Sequence, residues 1–209
     1  LWGEGTKPGI ENFYKKTGLK GAVISAVDLI KGIGISAGME SIDVEGATGT
    51  LDTNYEGKLE AAKKTLLKDG NDFVYIHLEG PDECGHHGDI EGKVLAVERI
   101  DKNIVGPLCK ALRDAGEDFA MLIMPDHPTP IETKTHSSDP IPFKIYRSND
   151  EKEGAEVYSE KNAGKSGIFI EDGYTLLTKF INLSLTVLED KIPFKPFVLA
   201  ALEGIYISF

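Results

Sequence analysis

The chain has few cysteines and no long apolar run. Cys84 and Cys109 are the only cysteines among its 209 residues, too few for a disulfide framework, so free thiols in a reducing, cytoplasmic setting are expected. The apolar stretch that begins at Phe197 is interrupted at Glu203 and falls short of the roughly 20 residues that span a bilayer. The first residues contain no basic segment followed by an apolar one, which predicts that there is no signal peptide.

Positive charge is also scarce. The 23 Lys and Arg residues face 34 Asp and Glu residues, which leaves a formal net charge of −11 at pH 7. A field of this sign repels phosphate backbones and anionic lipid surfaces. Nucleic acid and membranes are therefore not expected as partners, and a small-molecule substrate is.

Short β-rich runs alternate with helical patterns through most of the chain, which predicts an α/β sheet flanked by helices. The predicted strands cover 21–27, 42–44, 72–79, 119–124 and 140–146, and 168–170 is a further apolar segment. The predicted helices cover 29–37, 54–68, 90–115 and 173–183. In the helix 90–115 an apolar stripe lies apart from Lys93, Arg99, Lys102 and Arg113.

All five histidines lie between positions 77 and 136, and four of them follow predicted strands. The loop 80–89 follows one strand, and Asp126 and His127 follow another. His136 lies nine residues further along. If the two strands are neighbours in a parallel sheet, both loops leave the same edge and meet in one ligand crevice.

These loops carry five candidate metal ligands: Asp82, His86, Asp126, His127 and His136. Carboxylate oxygen combined with imidazole nitrogen suits Zn²⁺ or Mn²⁺ better than Ca²⁺ or Mg²⁺, which prefer oxygen alone. One ion needs three or four protein ligands, so five favour two ions that clamp a phosphoryl group. The alternative for any one residue is a turn former or a surface side chain.

Several motifs occur in an order typical of one enzyme family. They are 1–5, 22–27, Gly46-Ala-Thr-Gly49 with 51–58, Asp82-x-x-Gly85-His86, Glu98-x-x-Asp101, Asp126-His127-Pro128-Thr129-Pro130, and Thr135-His136-Ser137 with 139–142. Together they resemble the archaeal-type cofactor-independent phosphoglycerate mutases of the alkaline phosphatase superfamily, over about residues 1–180. Taken alone, 46–49 with Asp52, Thr53 and Asn54 predicts a turn and a helix N-cap, with phosphate contact as the alternative.

The resemblance implies an alkaline-phosphatase-like α/β/α sandwich. Residues 1–184 would form the C-terminal part of its metal-binding domain, and 185–209 a tail of unknown role. One ion would bind Asp82, His86 and His136, and the other Asp126 and His127. The ions would be Mn²⁺ or Zn²⁺, with Mg²⁺ as the alternative, and Lys31 would contact the substrate phosphate.

The resemblance also implies a reaction. The whole enzyme would interconvert 3-phosphoglycerate and 2-phosphoglycerate through a nucleophilic serine or threonine, which then returns the phosphoryl group to the neighbouring hydroxyl. The family's nucleophile and N-terminal aspartate have no counterpart here, so the chain alone is expected to be inactive. Two alternatives stay open: a phosphatase or other phosphoester hydrolase of the same superfamily, and a non-catalytic metal-binding module.

Overall fold

Helices and strands alternate in the computed structural model of the chain, which describes residue 6, residues 9–186 and residues 197–202. The strands are β1 (Gly21–Ile24), β2 (Glu40–Ile42), β3 (Phe73–Leu78), β4 (Ala120–Met124), β5 (Lys144–Arg147) and β6 (Phe197–Leu202). The α-helices are α1 (Phe13–Thr17), α2 (Asp28–Ser36), α3 (Tyr55–Leu67), α4 (Gly80–His87), α5 (Ile90–Ile100), α6 (Gly106–Asp114), α7 (Glu160–Lys165) and α8 (Leu176–Thr186). No described helix is both long and apolar enough to cross a membrane.

The strands form one six-stranded sheet in the order β2-β1-β3-β6-β4-β5. Neighbouring strands are parallel except β5, which is antiparallel to β4 at the sheet edge. The predicted α/β class is therefore confirmed. The predicted adjacency of β3 and β4 is wrong, because β6 pairs with both of them. The carboxyl ends of β3 and β4 still lie at the same edge, so the segments that follow them can meet.

The core lies in two layers, one on each face of the sheet. On one face α3, α5 and α6 cover side chains such as Val74, Met121 and Val198. On the other face α1 and α8 cover the alternate residues, including Phe73 and Phe197. Because successive side chains of a strand point to opposite faces, this alternation produces the α/β/α sandwich.

The predicted helix 90–115 is present but not uniform. A π-helical turn, Asp101–Val105, joins α5 to α6. Ile100, Ile104 and Leu108 are four residues apart, so in a regular helix of about 3.6 residues per turn their row would drift around the axis. The π turn contains more residues per turn than an α-helix, so it helps to keep residues four apart on one face. All three side chains are at most 1% exposed.

Local signals set several of the element ends. The side chain of Asn54 accepts a hydrogen bond from the backbone N–H of Gly57 at 2.8 Å, which confirms the predicted N-cap of α3. The predicted strand 140–146 is reduced to β5 because prolines at 140 and 142 lack the N–H that pairing requires. The apolar segment 168–170 forms no strand.

Lys58 of α3 is a charged residue inside the core, only 1% exposed. Its ammonium donates to the backbone oxygen of His77 at 3.1 Å. Burial lowers the pKa of Lys58 to about 8, although the negative charge of Glu79 opposes the shift. The folded chain therefore releases this proton at a lower pH than the unfolded chain does.

We expect the stability contributed by Lys58 to rise with pH. Between pH 7 and 9.5 the unfolded chain keeps its proton while the folded chain loses it, so the free energy of unfolding increases by about 2 kcal/mol. Lys58→Met, a variant of similar length without the titration, should lack this increase. Urea unfolding of both proteins at the two pH values measures it, and equal pH slopes would contradict the assignment.

Candidate metal centre

The segment after β3 is a helix, not the loop that the sequence predicted. Pro81 lies in the first turn of α4, two acidic residues follow it, and Gly88 ends the helix in the left-handed region at φ 71°. A helix brings residues four apart onto one face. Asp82 and His86 consequently lie together, with His86 Nε2 3.3 Å from Asp82 Oδ2.

His136 reaches the same place from the long segment after β4. Its Nε2 lies 3.6 Å from Asp82 Oδ1 and 3.1 Å from His86 Nε2. The carboxylate of Asp82 is nearly buried, whereas the side chains of His86 and His136 are 36% and 51% exposed. A buried carboxylate is thus faced by two imidazoles that solvent can reach.

Asp126 and His127 complete the cluster from the carboxyl end of β4. The rings of His127 and His136 lie with their centroids 3.7 Å apart, and ligand atoms of Asp82, His127 and His136 all lie within 4.8 Å of one another. His127 Nε2 is 3.5 Å from Asp126 Oδ2. The structure thus brings the five predicted ligands to one edge of the sheet. A ligand atom of His127 lies close to Asp82 and His136, although the resemblance implies that His127 binds the other ion.

The orientation of His86 is set by a backbone carbonyl. His86 Nδ1 lies 3.0 Å from the oxygen of Lys134. A carbonyl only accepts, so Nδ1 is the donor to Lys134, and Nε2 is the ring nitrogen that faces the cluster. Lys134 has φ 54°, and it is the one residue other than glycine with positive φ in the part of the chain that the structure describes. Residues in such an uncommon backbone conformation occur often at functional sites, and here the residue contacts the candidate metal ligand His86.

Asp82 is held from behind by Thr129. The hydroxyl of Thr129, a fully buried residue, donates to Asp82 Oδ1. The same hydroxyl lies 3.4 Å from His127 Nδ1. Thr129 belongs to the Asp-His-Pro-Thr-Pro motif, which pointed to this segment of the chain. No role was predicted for Thr129 itself. It connects the α4 ligands to the β4 ligands.

Lys93 lies behind Thr129, in a position that the helical spacing did not reveal. The prediction placed Lys93 off the apolar stripe of the long helix, yet it is only 1% exposed. Its ammonium donates to the Thr129 carbonyl at 2.6 Å. Burial lowers the pKa of Lys93 to about 8, and the charge of Asp82 opposes that shift. No spacing rule revealed this role, because the contact joins residues 36 positions apart.

Gly85 explains the glycine in the Asp-x-x-Gly-His motif. A Cβ at this position would lie 2.7 Å from the Thr129 carbonyl oxygen and 3.0 Å from Lys93 Nζ. Real Cβ atoms essentially never come so close to backbone, so any larger residue would push α4 away from Thr129. Glycine therefore allows the helix to approach the segment that supports Asp82.

The other two histidines lie outside the cluster. His87 has a 75% exposed side chain, and its Nδ1 lies 2.7 Å from the oxygen of Glu83 on its own helix. His77 is buried in β3, with Nδ1 3.1 Å from Ser25 Oγ. Cys84 is buried as well, and burial raises the pKa of its thiol, which argues against a nucleophile.

Lys31 lies in α2, the helix that follows β1. Its ammonium contacts Asp43 Oδ1 at 2.7 Å, so this candidate substrate ligand is ion-paired in the structure. The segment 46–49 leads into the Asn54 cap of α3, as the simpler sequence interpretation predicted.

The donor set fits divalent ions of intermediate softness. One nearly buried carboxylate and three imidazoles converge. Mn²⁺ and Zn²⁺ accept this mixture of nitrogen and oxygen. The second carboxylate, Asp126, adjoins the same cluster.

The chain is similar to known proteins. The family model described as Metalloenzyme superfamily matches residues 1–181. The 2,3-bisphosphoglycerate-independent phosphoglycerate mutase of Methanothrix thermoacetophila is 48% identical over 181 residues, which cover 87% of this chain and 46% of the relative. The enzyme of that name from Methanosarcina mazei is 52% identical over 163 residues, 78% of this chain and 41% of the relative.

A solved structure is also similar to this chain. The structure of PH0037 protein from Pyrococcus horikoshii superposes with a TM-score of 0.77 at 31% identity, covering 86% of this chain and 53% of that one. The chain spans about half the length of the curated relatives that it matches. The resemblance inferred from the motifs is thereby confirmed. With the Asp and His cluster at the carboxyl edge of its α/β sheet, the chain belongs to the Metalloenzyme superfamily.

Proposed function

We propose that this chain supplies the metal-binding part of a cofactor-independent phosphoglycerate mutase. The observation that carries the proposal is the convergence of Asp82, His86, His127 and His136 in a chain whose relatives bear that enzyme name. The substrate would be phosphoglycerate, and the metals two divalent ions, Mn²⁺ or Zn²⁺ with Mg²⁺ as the alternative. The two free cysteines agree with a cytoplasmic location.

In this proposal Asp82, His86 and His136 hold one ion, and Asp126 and His127 hold the other. When bound, divalent ions neutralise charge on phosphoryl oxygens and lower the pKa of a coordinated hydroxyl. The Lys134 carbonyl would hold His86 Nδ1, so that Nε2 faces the ion. Lys31 would contact the substrate phosphate by exchanging Asp43 for a phosphoryl oxygen.

An enolase-coupled assay tests the proposal. A protein extended upstream to the length of the relatives, supplied with Mn²⁺ and 3-phosphoglycerate, should produce 2-phosphoglycerate. His136→Ala in that protein should lower turnover by at least about 1000-fold, since one ion would lose a ligand, whereas the exposed neighbour His87→Ala should leave turnover unchanged. Release of inorganic phosphate from 3-phosphoglycerate without 2-phosphoglycerate would instead show a hydrolase.

The 209 residues by themselves are expected to bind ions without mutase turnover. The relatives are about twice as long, and the resemblance assigns their nucleophile to the part that this chain does not match. Loss of a covalent nucleophile removes several orders of magnitude of rate. The same assay on the short chain checks this, and substantial turnover would contradict it.

A further inference from the structure

We infer that Lys93 is a positioning residue of the metal centre, acting on Asp82 through Thr129. The inference rests on the proposed function, because it concerns the ions that Asp82 would hold. Its basis is a continuous buried chain of contacts: the Lys93 ammonium donates to the Thr129 carbonyl at 2.6 Å, and the Thr129 hydroxyl donates to Asp82 Oδ1.

The burial of these groups limits what else they can do. Lys93 and Thr129 are 1% and 0% exposed, and Asp82 is 6% exposed. Placing an ammonium where water is excluded costs free energy unless strong partners compensate. Lysine at this position is therefore a poor choice for packing alone. The Lys93 ammonium lies close enough to the Asp82 carboxylate for the two charges to attract each other.

The backbone of Thr129 converts the Lys93 contact into an orientation of Asp82. The carbonyl and the hydroxyl belong to one residue, so fixing the first restricts where the second can point. With Oδ1 held by that hydroxyl, the carboxylate is kept from rotating, and Oδ2 faces His86 at 3.3 Å. Outer partners that orient a ligand in this way typically account for a 10- to 100-fold difference in metal affinity.

The approach of α4 to Thr129 is an independent sign that the arrangement is built. Gly85 lies one turn from Asp82 and leaves room for both the Thr129 oxygen and Lys93 Nζ, at 2.7 Å and 3.0 Å from where a Cβ would be. Three separate segments thus meet at this point: α4, α5 and the segment after β4. The contacts among these segments fix the position of Asp82 relative to the histidines.

The test compares two buried lysines in the full 209-residue chain. Lys93→Met should weaken Mn²⁺ binding, measured by isothermal titration calorimetry, by about tenfold. Lys58→Met is the matched control: Lys58 is also 1% exposed and also donates to a backbone carbonyl, that of His77. It should change the melting temperature of the metal-free chain and leave Mn²⁺ affinity unchanged. A purely structural Lys93 would behave like Lys58.

Variants of Thr129 keep the inference testable even if Lys93→Met does not fold. Thr129→Val removes the hydroxyl while keeping shape and carbonyl, and should weaken Mn²⁺ binding about tenfold. Thr129→Ser restores the hydroxyl and should bind almost as tightly as the unmodified chain. Where both single variants fold, the double variant Lys93→Met with Thr129→Val should have an Mn²⁺ affinity within about twofold of that of either single variant. The two losses should not add, because both substitutions act on the same carboxylate.

The outcomes separate this inference from the proposed function. If the unmodified chain binds no Mn²⁺ or Zn²⁺, the metal centre itself is overturned, and the inference with it. If the chain binds Mn²⁺ but Lys93→Met and Thr129→Val leave the affinity unchanged, only the inference about Lys93 is overturned. Reduced affinity in these variants with undiminished binding in Lys58→Met supports both.

Discussion

Replacement of Asp82 by asparagine should lower the Mn²⁺ affinity of the chain by at least about 100-fold. Asp82 lies within 3.3 Å and 3.6 Å of His86 Nε2 and His136 Nε2, and it is the nearly buried carboxylate of the cluster. The substitution keeps the size of the side chain but removes the negative charge that the ion would neutralise. A neutral amide oxygen is a much weaker ligand for a divalent ion than a carboxylate.

Glu83→Gln is the matched control for this experiment. It removes the same charge from the adjacent position of α4, but the Glu83 side chain is 43% exposed and lies near His87, outside the cluster. Calorimetric titration with Mn²⁺ should show near-normal binding for Glu83→Gln and greatly weakened binding for Asp82→Asn. Equal losses in the two variants would indicate a general effect of charge, and undiminished binding in Asp82→Asn would refute the site.

Saturating Mn²⁺ should stabilise the folded chain by about 4 kcal/mol when its free concentration is 1000 times the dissociation constant. The ligands come from α4 and from the segment after β4, and only the folded chain brings them together. Binding to the folded state alone raises the free energy of unfolding by mass action. For a chain of this size, such a gain corresponds to a rise of about 10 °C in the melting temperature.

Differential scanning calorimetry with Mn²⁺, with Ca²⁺ and with a chelator measures this stabilisation. Ca²⁺ should have a much smaller effect, because it prefers six to eight oxygen ligands and the cluster offers three imidazoles. Asp82→Asn should lose most of the shift. Identical melting with Mn²⁺ and with chelator would show that the histidines form no metal site.

The site was largely predictable in composition, less so in arrangement. Asp82, His86, Asp126, His127 and His136 were identified because carboxylates and imidazoles followed predicted strands. Their convergence needed only parallel strands with carboxyl ends at one edge. The helical conformation of 80–87 was missed, since an eight-residue segment with two glycines and a proline has little intrinsic helical preference. Its packing in the folded chain decides its conformation.

Sequence by itself determined the alternation of strands and helices, the negative net charge and the identity of the candidate ligands, because periodicity, charge and residue chemistry can be read from the chain without its fold. Tertiary structure decided the rest. It placed β6 between β3 and β4, turned Lys134 toward His86, and buried Lys93 against Thr129. Each of these depends on contacts between residues far apart in the chain, where burial and hydrogen bonding outweigh any preference that a short stretch of sequence expresses.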